Sequence, residues 1–406
     1  MTTVILKPHK EESLLRFHPW VFSGAIARIV LDPDHTEPEP REGELVAVFS
    51  SERKELGIGH WGVGSIAVRI LQFGVNELED GFWKDRIRAA YHMRQALGLI
   101  REDNDTYRLV HGEGDGLPGL VVDIYGDTAV VQAHSVGMHL VRQTVADTLM
   151  SEVPGLKAVY YKSDDTLPHK APIEGDKTGY LIKLETRNRE PESSEFWSTE
   201  NGLQFRIDWL RGQKTGFFID QRENRALLER YSRGREVLNM FCYTGGFSVY
   251  AIRGGAKRVV SVDVSEQAVL LVRDNVAHNF PDCTSHEAVA ADAFDYLGAN
   301  KEAFDLIILD PPAFAKHRDA VRNALRGYQR LNAMAIRQIR PGGILFTFSC
   351  SQAVDKEQFR LAVFSAAAQV GRRVRILHQL HQPQDHPINI YHPEGEYLKG
   401  LVLYIE

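Results

Sequence analysis

"EVLNMFCYTGGFSVYAIRGGAKRVVSVDVSEQAVLLVRDNVAHN", residues 236–279, contains two strand-like runs, each followed by a helix-like one. "EVLNMF" and "RVVSVDV" are short and largely apolar, the second valine-rich, with little polar alternation. Such runs fit strands covered on both faces. "GGFSVYAIR" and "SEQAVLLVRDNVAHN" space their apolar residues helically, and Ser265 stands where a helix wants its N-cap. The alternation continues with "FDLIILD" (304–310), a long helix near 319–340 and "GILFTFSC" (343–350). A helix at 354–370 and two closing strands, "RVRILHQL" and "YLKGLVLYIE", complete the chain. This pattern predicts an α/β fold with an open, doubly wound, mostly parallel sheet.

Working back from that region, the texture changes twice. Residues 1–75 hold short alternating runs such as "ELVAVFS" and "SIAVRIL", which predict a small β-rich domain with an exposed loop at "DPDHTEPEP" (32–40). Residues 76–190 predict a central α/β domain. It has an amphipathic helix in "FWKDRIRAAYHMRQALGL" (82–99) and a hairpin in "GLVVDIYGDTAVVQAH" (119–134) turning at Gly126-Asp127. "KAVYYKS" and "GYLIKLE" add strands there, and the polar stretch "ETRNREPESSEFW" (185–197) is the best linker before a domain at 191–406.

A chain of 406 residues exceeds one ordinary core, and 43% hydrophobic with 25% charged residues is a globular composition. No apolar run approaches the ~18 residues needed to span a bilayer, and the N-terminus has no secretory pattern. The three cysteines, Cys242, Cys283 and Cys350, are unclustered, which fits a reducing cytoplasm and excludes a four-thiolate iron–sulfur cluster. The net charge of −6 means that any nucleic-acid partner must be met by local basic groups.

In an open α/β sheet, ligands bind at the carboxyl ends of the strands. After the first strand comes "NMFCYTGGF" (239–247), where Asn239, Phe241, Tyr243, Thr244 and Gly245 form a turn that brings backbone close to a ligand. The second strand ends in Asp263 and Val264, and a carboxylate there can accept both hydroxyls of a ribose. Asp292 and Ala293 follow the third strand, within reach of an adenine amino group, and Asp310 ends the fourth. Four polar strand ends in order predict an adenosine-type cofactor. The missing G-x-G-x-x-G favours S-adenosylmethionine over a dinucleotide. Upstream, "KTGFFIDQREN" (214–224) offers Lys214, Phe218 and Asp220, with Arg222 as a forked partner for the methionine carboxylate. A solvated helix start is the competing reading of that stretch.

Cys350 ends the fifth strand, flanked by serines, next to the strand that ends in Asp310. Most free cysteines are inert core residues. Beside "LDPP", however, a thiolate nucleophile becomes the better reading. Carbon 5 of a pyrimidine is a poor nucleophile. Thiolate attack at carbon 6 makes carbon 5 nucleophilic, dividing one hard step into two. Asp310 would hold the exocyclic amino group and ring nitrogen 3. An ordinary thiol needs a helix N-terminus or a local cation to ionise, and the helix expected near Val354 is the candidate.

"VLNMFCYTGGFSVYA", "LDPPAFAK", "RGYQRLN", "LFTFSCS" and "DHPINIYHPEGEYLKG" together resemble the ribosomal RNA large subunit methyltransferase I family. "SLLRFHPWVFSGAIARI" resembles that family's PUA domain, and "YRLVHGEGDGLPGLVVD" its central domain. The resemblance implies a PUA, central and Rossmann-like architecture and formation of 5-methylcytosine in 23S rRNA from S-adenosylmethionine. It also implies a homodimer in some members. Position by position, Cys350 matches the nucleophile and Asp310 the acid of "DPP", while Cys242 stands where members often carry serine. Ala313 and Phe314 occupy the place of the second cysteine seen in other RNA cytosine methyltransferases. The base that removes the carbon 5 proton is then unidentified. Asp385 and His386 are weak candidates for it, better read as structural.

For RNA, Arg318, Arg322, Arg326 and Arg330 recur every four residues, one helical stripe beside the proposed pocket. Pro311, Pro312 and Lys316 in "DPPAFAK" would border the base, and Tyr328 would either stack or pack. Lys10, Arg16 and Trp20 are the N-terminal candidates, and the PUA resemblance gives them an RNA reading. Four rival readings are weaker. Those are a 5-methyluridine-forming enzyme, whose cysteine is usually followed by Asn-Pro, a nicotinamide oxidoreductase, a silent rRNA-binding assembly factor, and a zinc protein using His378, His381, His386 and His392. The histidines lack a recognised ligand spacing, so no metal is expected.

Overall fold

The computed structural model describes residues 1–168, 173, 175–184, 196–300, 302–315 and 317–406. Most of the predicted linker, at 185–195, lies outside them, as does Lys316. The chain divides into two compact units. One comprises Met1–Glu195, Ile207–Phe217 and Gln384–Gly395, and the other Phe196–Arg206, Phe218–Pro383 and Glu396–Glu406. Among the described residues no helix is long and apolar enough to cross a membrane.

The first unit holds two sheets. Six strands between Thr3 and Phe73 form one, in which Thr3–Leu6 runs parallel to Leu45–Phe49 and the neighbouring pairs are antiparallel. Its core is Val4, Leu6, Val46, Val48, Val68 and Ile70, the inward members of the alternating runs. Five strands between Thr106 and Lys183 form the other, covered by helices Phe82–Ala96 and Arg142–Glu152. The predicted hairpin is there. Tyr125 faces Thr128 across Gly126-Asp127, and Gly126 takes the positive φ that such a two-residue turn requires.

The second unit is built on seven strands, here β1 (Glu236–Met240), β2 (Arg258–Asp263), β3 (His286–Ala290), β4 (Phe304–Leu309), β5 (Ile339–Ser349), β6 (Val374–His381) and β7 (Lys399–Ile405). Their order is β3-β2-β1-β4-β5-β7-β6, with the first five parallel and β7 antiparallel to both neighbours. The helices are α1 (Arg222–Ser232), α2 (Gly246–Arg253), α3 (Glu266–Asn279), α4 (Ala293–Ala299), α5 (Val321–Gln338) and α6 (Lys356–Val370). The interior strands have a buried cluster on each face, one gathering α4, α5 and α6 and the other α1 and α2. Burial on both sides explains their unbroken apolar runs. Ser265, Asp292 and Asp355 cap α3, α4 and α6, which fixes where the chain leaves β2, β3 and β5. A short hairpin, Phe196–Glu200 with Leu203–Ile207, precedes α1 and was not legible in the sequence.

Candidate active site

The loop from β1 to α2 is strained where a ligand would approach. Phe241 and Tyr243 hold positive φ values of 59° and 45°, in a region unfavourable to residues with a Cβ. Asp263 holds this loop. Its Oδ2 accepts from the Tyr243 amide at 2.9 Å, and its Oδ1 accepts from the Ser265 amide at 3.0 Å. Asn275 of α3 donates to the Thr244 carbonyl at 2.8 Å. Gly245, at φ 78°, lies so close to Val272 that a Cβ would stand 2.9 Å from its methyl. The glycine is thus required by both conformation and space.

The other proposed cofactor residues divide by burial. Phe218 is partly exposed, with its ring edge-on to Tyr243 at 5.0 Å, and Val264 is strongly exposed. Asp292 is exposed, but its Oδ1 accepts from the Phe294 and Asp295 amides as the cap of α4, and Ala293 begins that helix. Asp220 is buried and accepts from the Tyr397 hydroxyl at 2.7 Å, and Arg222 is buried beside Glu223. The side chain of Asn239 turns toward α2. It is buried and donates to Ser248, which joins Ser261 and His286 in one chain of contacts at 2.6–2.9 Å. A strand residue with its Cβ on the helix-covered face cannot also aim at the open end.

Asp310 and Cys350 leave adjacent parallel strands, where Leu309 pairs with Thr347. Both are partly exposed, and the Cys350 thiol lies 4.0 Å from the Pro311 carbonyl. The flanking serines pin this turn. Ser349 donates to the Tyr328 hydroxyl at 2.9 Å, and Ser351 donates to the Ala315 carbonyl at 2.5 Å. Cys242 is different. Burial and the nearby Asp263 carboxylate push its thiol well above the ordinary range, which fits a bystander. Cys283 is partly exposed, 3.7 Å from Ser285.

Two expectations are corrected here. Tyr328 does not stack on a base: it is fully buried, with its ring on Phe314 at 4.6 Å and its hydroxyl taken by Ser349. Burial pushes that hydroxyl up to about 12, against the Ser349 bond, with the Cys350 and Asp310 charges acting in the same direction as burial. The N-terminus of α6 is not an open positive end for the thiol either. The helix starts at Lys356, and Asp355 closes it with a capping box, accepting from the Gln358 amide at 2.8 Å. A carboxylate there satisfies the end that was expected to act on sulfur.

Two features of the site were missed. Lys399, first residue of β7, is buried across from Ser349 and donates to the Ser351 and Val354 carbonyls. It sits within "YLKG", where an isolated lysine at a strand start gives no sign of pointing inward. Arg225 is also buried. It forks onto Glu200 at 2.9 and 2.7 Å and donates to the Phe218 carbonyl at 2.9 Å, while Tyr250 donates to Glu200 at 2.9 Å. Its only signal was an arginine on the apolar side of α1.

Of the RNA candidates, Arg318, Arg322, Arg326 and Arg330 are all exposed, the last over the Phe294 ring at 4.9 Å. Among the described residues the first three make no ion pair. Pro312 is exposed and Pro311 buried. In the first unit Lys10 is exposed, and Arg16 is exposed beside Glu12 at 3.3 Å. Trp20 donates to Glu113 at 2.9 Å, and its ring lies 4.3 Å from His392. Asp385 and His386 are buried there, bonded to each other at 3.0 Å, and Asp385 also accepts from Arg94 and the Arg108 amide. That is the structural role expected of them.

The sheet order, the strained β1–α2 loop and acids at successive strand ends define an S-adenosylmethionine-dependent methyltransferase. Residues 185–390 match the family profile of that description, and residues 4–73 match a PUA-like domain. The chain belongs to the ribosomal RNA large subunit methyltransferase I family. A member from Shewanella denitrificans is 40% identical over 98% of both chains, and one from Tolumonas auensis 39% identical over 99% of both. A methyltransferase structure from Streptococcus mutans superposes with a TM-score of 0.82 at 21% identity, covering all of both chains. Another methyltransferase structure, solved with S-adenosylhomocysteine, gives 0.83 at 21% identity over the same full coverage.

The residues present fit that cofactor. The β1–α2 loop offers close backbone, and Asp263 keeps lone pairs beyond the two amide bonds it accepts. Removing this carboxylate deletes the charged acceptor of the Tyr243 and Ser265 amides. Asp263→Ala is expected to weaken S-adenosylmethionine binding about 10- to 100-fold by isothermal titration and to lower thermal stability as well, because two loop amides lose a charged acceptor. Unchanged affinity would remove Asp263 from the site.

Proposed function

We propose that this enzyme methylates carbon 5 of a cytosine in 23S rRNA through a transient adduct between Cys350 and the base. The observation that carries this reading is the placement of Cys350 and Asp310 on adjacent strand ends, with the sulfur at a pinned and partly open turn. The family's name supplies the ribosomal RNA, and the matches at "DPP" and "SCS" supply the cytosine.

Bound S-adenosylmethionine supplies an electrophilic methyl group. The work of the chain is to make carbon 5 accept it. The Cys350 thiolate attacks carbon 6, forming the S–C bond and placing electron density on carbon 5. Asp310 holds the exocyclic amino group and ring nitrogen 3, fixing the base and favouring the adduct. After carbon 5 takes the methyl group, a base removes its proton, the double bond reforms and the sulfur leaves as thiolate. Phe218, Arg222 and the β1–α2 loop are the proposed cofactor holders, with Asp263, Val264, Asp292 and Ala293 at the neighbouring strand ends.

In this reading, residues 1–75 and 76–190 are RNA-holding and central domains, and 191–406 the methyltransferase domain, acting in the cytoplasm. Two excursions of the last, 207–217 and 384–395, pack within the first unit. The stripe Arg318, Arg322 and Arg326 supplies phosphate contacts that a net charge of −6 does not. An Arg322→Glu, Arg326→Glu double variant is expected to bind rRNA more weakly at low salt, with a log–log salt slope shallower by roughly 1.4. An unchanged slope would take these arginines out of the interface.

The deciding experiment incubates purified enzyme with unmodified 23S rRNA and methyl-labelled S-adenosylmethionine, then digests the RNA to nucleosides. Label in 5-methylcytidine is expected. Label in 5-methyluridine or in any other nucleoside would overturn the substrate assignment.

A further inference from the structure

Ionising a cysteine near neutral pH requires a positive neighbour, and the α6 terminus is closed by Asp355. The register of β5 against β7 places Lys399 opposite Ser349, one residue before the sulfur. From there Nζ reaches past the strand end to the carbonyls of Ser351, the residue after the sulfur, and of Val354, the latter at 2.7 Å. Lys399 therefore brackets Cys350 on both sides along the chain. It is only 7% exposed and makes no ion pair among the described residues. An ammonium held that far from water needs a counter-charge, and two carbonyls are only partial compensation.

We propose that Lys399 is a positioning residue for the nucleophile, its ammonium fixing the Cys350–Ser351 turn and favouring the thiolate. The inference rests on Cys350 being the nucleophile. The thiol proton passes to solvent and the lysine keeps its own, so no net proton moves between the pair. Three charged groups besides the sulfur act on this ammonium. Glu396 and Asp355 favour its charge, Lys356 opposes it, and Lys356 is itself paired with Glu396. Burial is the largest influence, pulling Lys399 down to about 8, and Cys350 opposes it most strongly.

The test is the pH dependence of Cys350 alkylation by iodoacetamide, read peptide by peptide in the full-length enzyme. In wild type the titration midpoint is expected below the ordinary ~8.5. Lys399→Met is expected to raise it by at least about one pH unit, roughly a tenfold loss of thiolate at pH 7. Lys399→Arg, which keeps the charge, should stay nearer wild type. A wild-type midpoint at or above 8.5 overturns the proposal even if Lys399→Met fails to fold, as does an unmoved midpoint in folded Lys399→Met. Undiminished methylation by Cys350→Ala would instead sink the nucleophile assignment, and the alkylation profile separates the two.

Discussion

Cys350→Ala is expected to bind S-adenosylmethionine and rRNA like wild type and to transfer no measurable methyl group. Without the sulfur, carbon 5 stays a weak nucleophile and the two-step path closes. Deleting a nucleophile in other covalent enzymes costs on the order of 10⁴-fold or more, and a similar loss of kcat is expected here. The variant leaves the cofactor loop intact, because that loop is held by Asp263 at the end of β2 and Asn275 within α3. Rate and binding should therefore separate, with single-turnover methylation abolished and titration enthalpies unchanged. A trapping experiment gives the positive counterpart. An RNA carrying 5-fluorocytosine at the target has no proton to lose at carbon 5, so wild-type enzyme should remain bonded to it through Cys350. Methylation by Cys350→Ala within tenfold of wild type would end the covalent account.

The largest effect on stability is expected at Arg225. This guanidinium and the Glu200 carboxylate are both buried, joined by two parallel hydrogen bonds, and Tyr250 shares the acid. Burial disfavours the arginine's charge, but Glu200 more than offsets this, and its pKa lies above the ordinary value. Arg225→Met strands a buried carboxylate and frees the Phe218 carbonyl. Breaking such a pair from one side costs about 3–5 kcal/mol. For a unit of this size, that corresponds to a fall on the order of 10 °C in its calorimetric transition. Removing both charges in Arg225→Met, Glu200→Leu should cost less than Arg225→Met alone, because no ion is left behind. Equal or additive losses would show that packing, not charge, governs this site. A loosened Phe218 should also weaken cofactor binding in Arg225→Met, coupling stability to the proposed cofactor site.

The sequence was most legible where periodicity and burial coincide. The largely apolar runs at 237–240 and 259–262 specify strands covered on both faces, and Ser265 marks the helix start that follows them. Strand ends could then be read in order, which brought Asp263, Asp310 and Cys350 to one edge of a sheet, because parallel strands all finish on the same side. Side-chain direction was less legible. Asn239 and Tyr328 lie on elements that carry proposed site residues, yet both turn inward, one into a serine–histidine chain and the other onto Phe314.

The order of elements, their type and the strand ends thus follow from local pattern alone, since hydrophobic spacing and capping act within a few residues. What surrounds the sulfur was decided by tertiary structure. The serine hydroxyls on Ala315 and Tyr328 join residues up to 36 positions apart, and the bonds of Lys399 reach 45 and 48. Charge acts through space. Only the antiparallel return of β7 beside β5 brings a lysine near the C-terminus to a cysteine on a neighbouring strand.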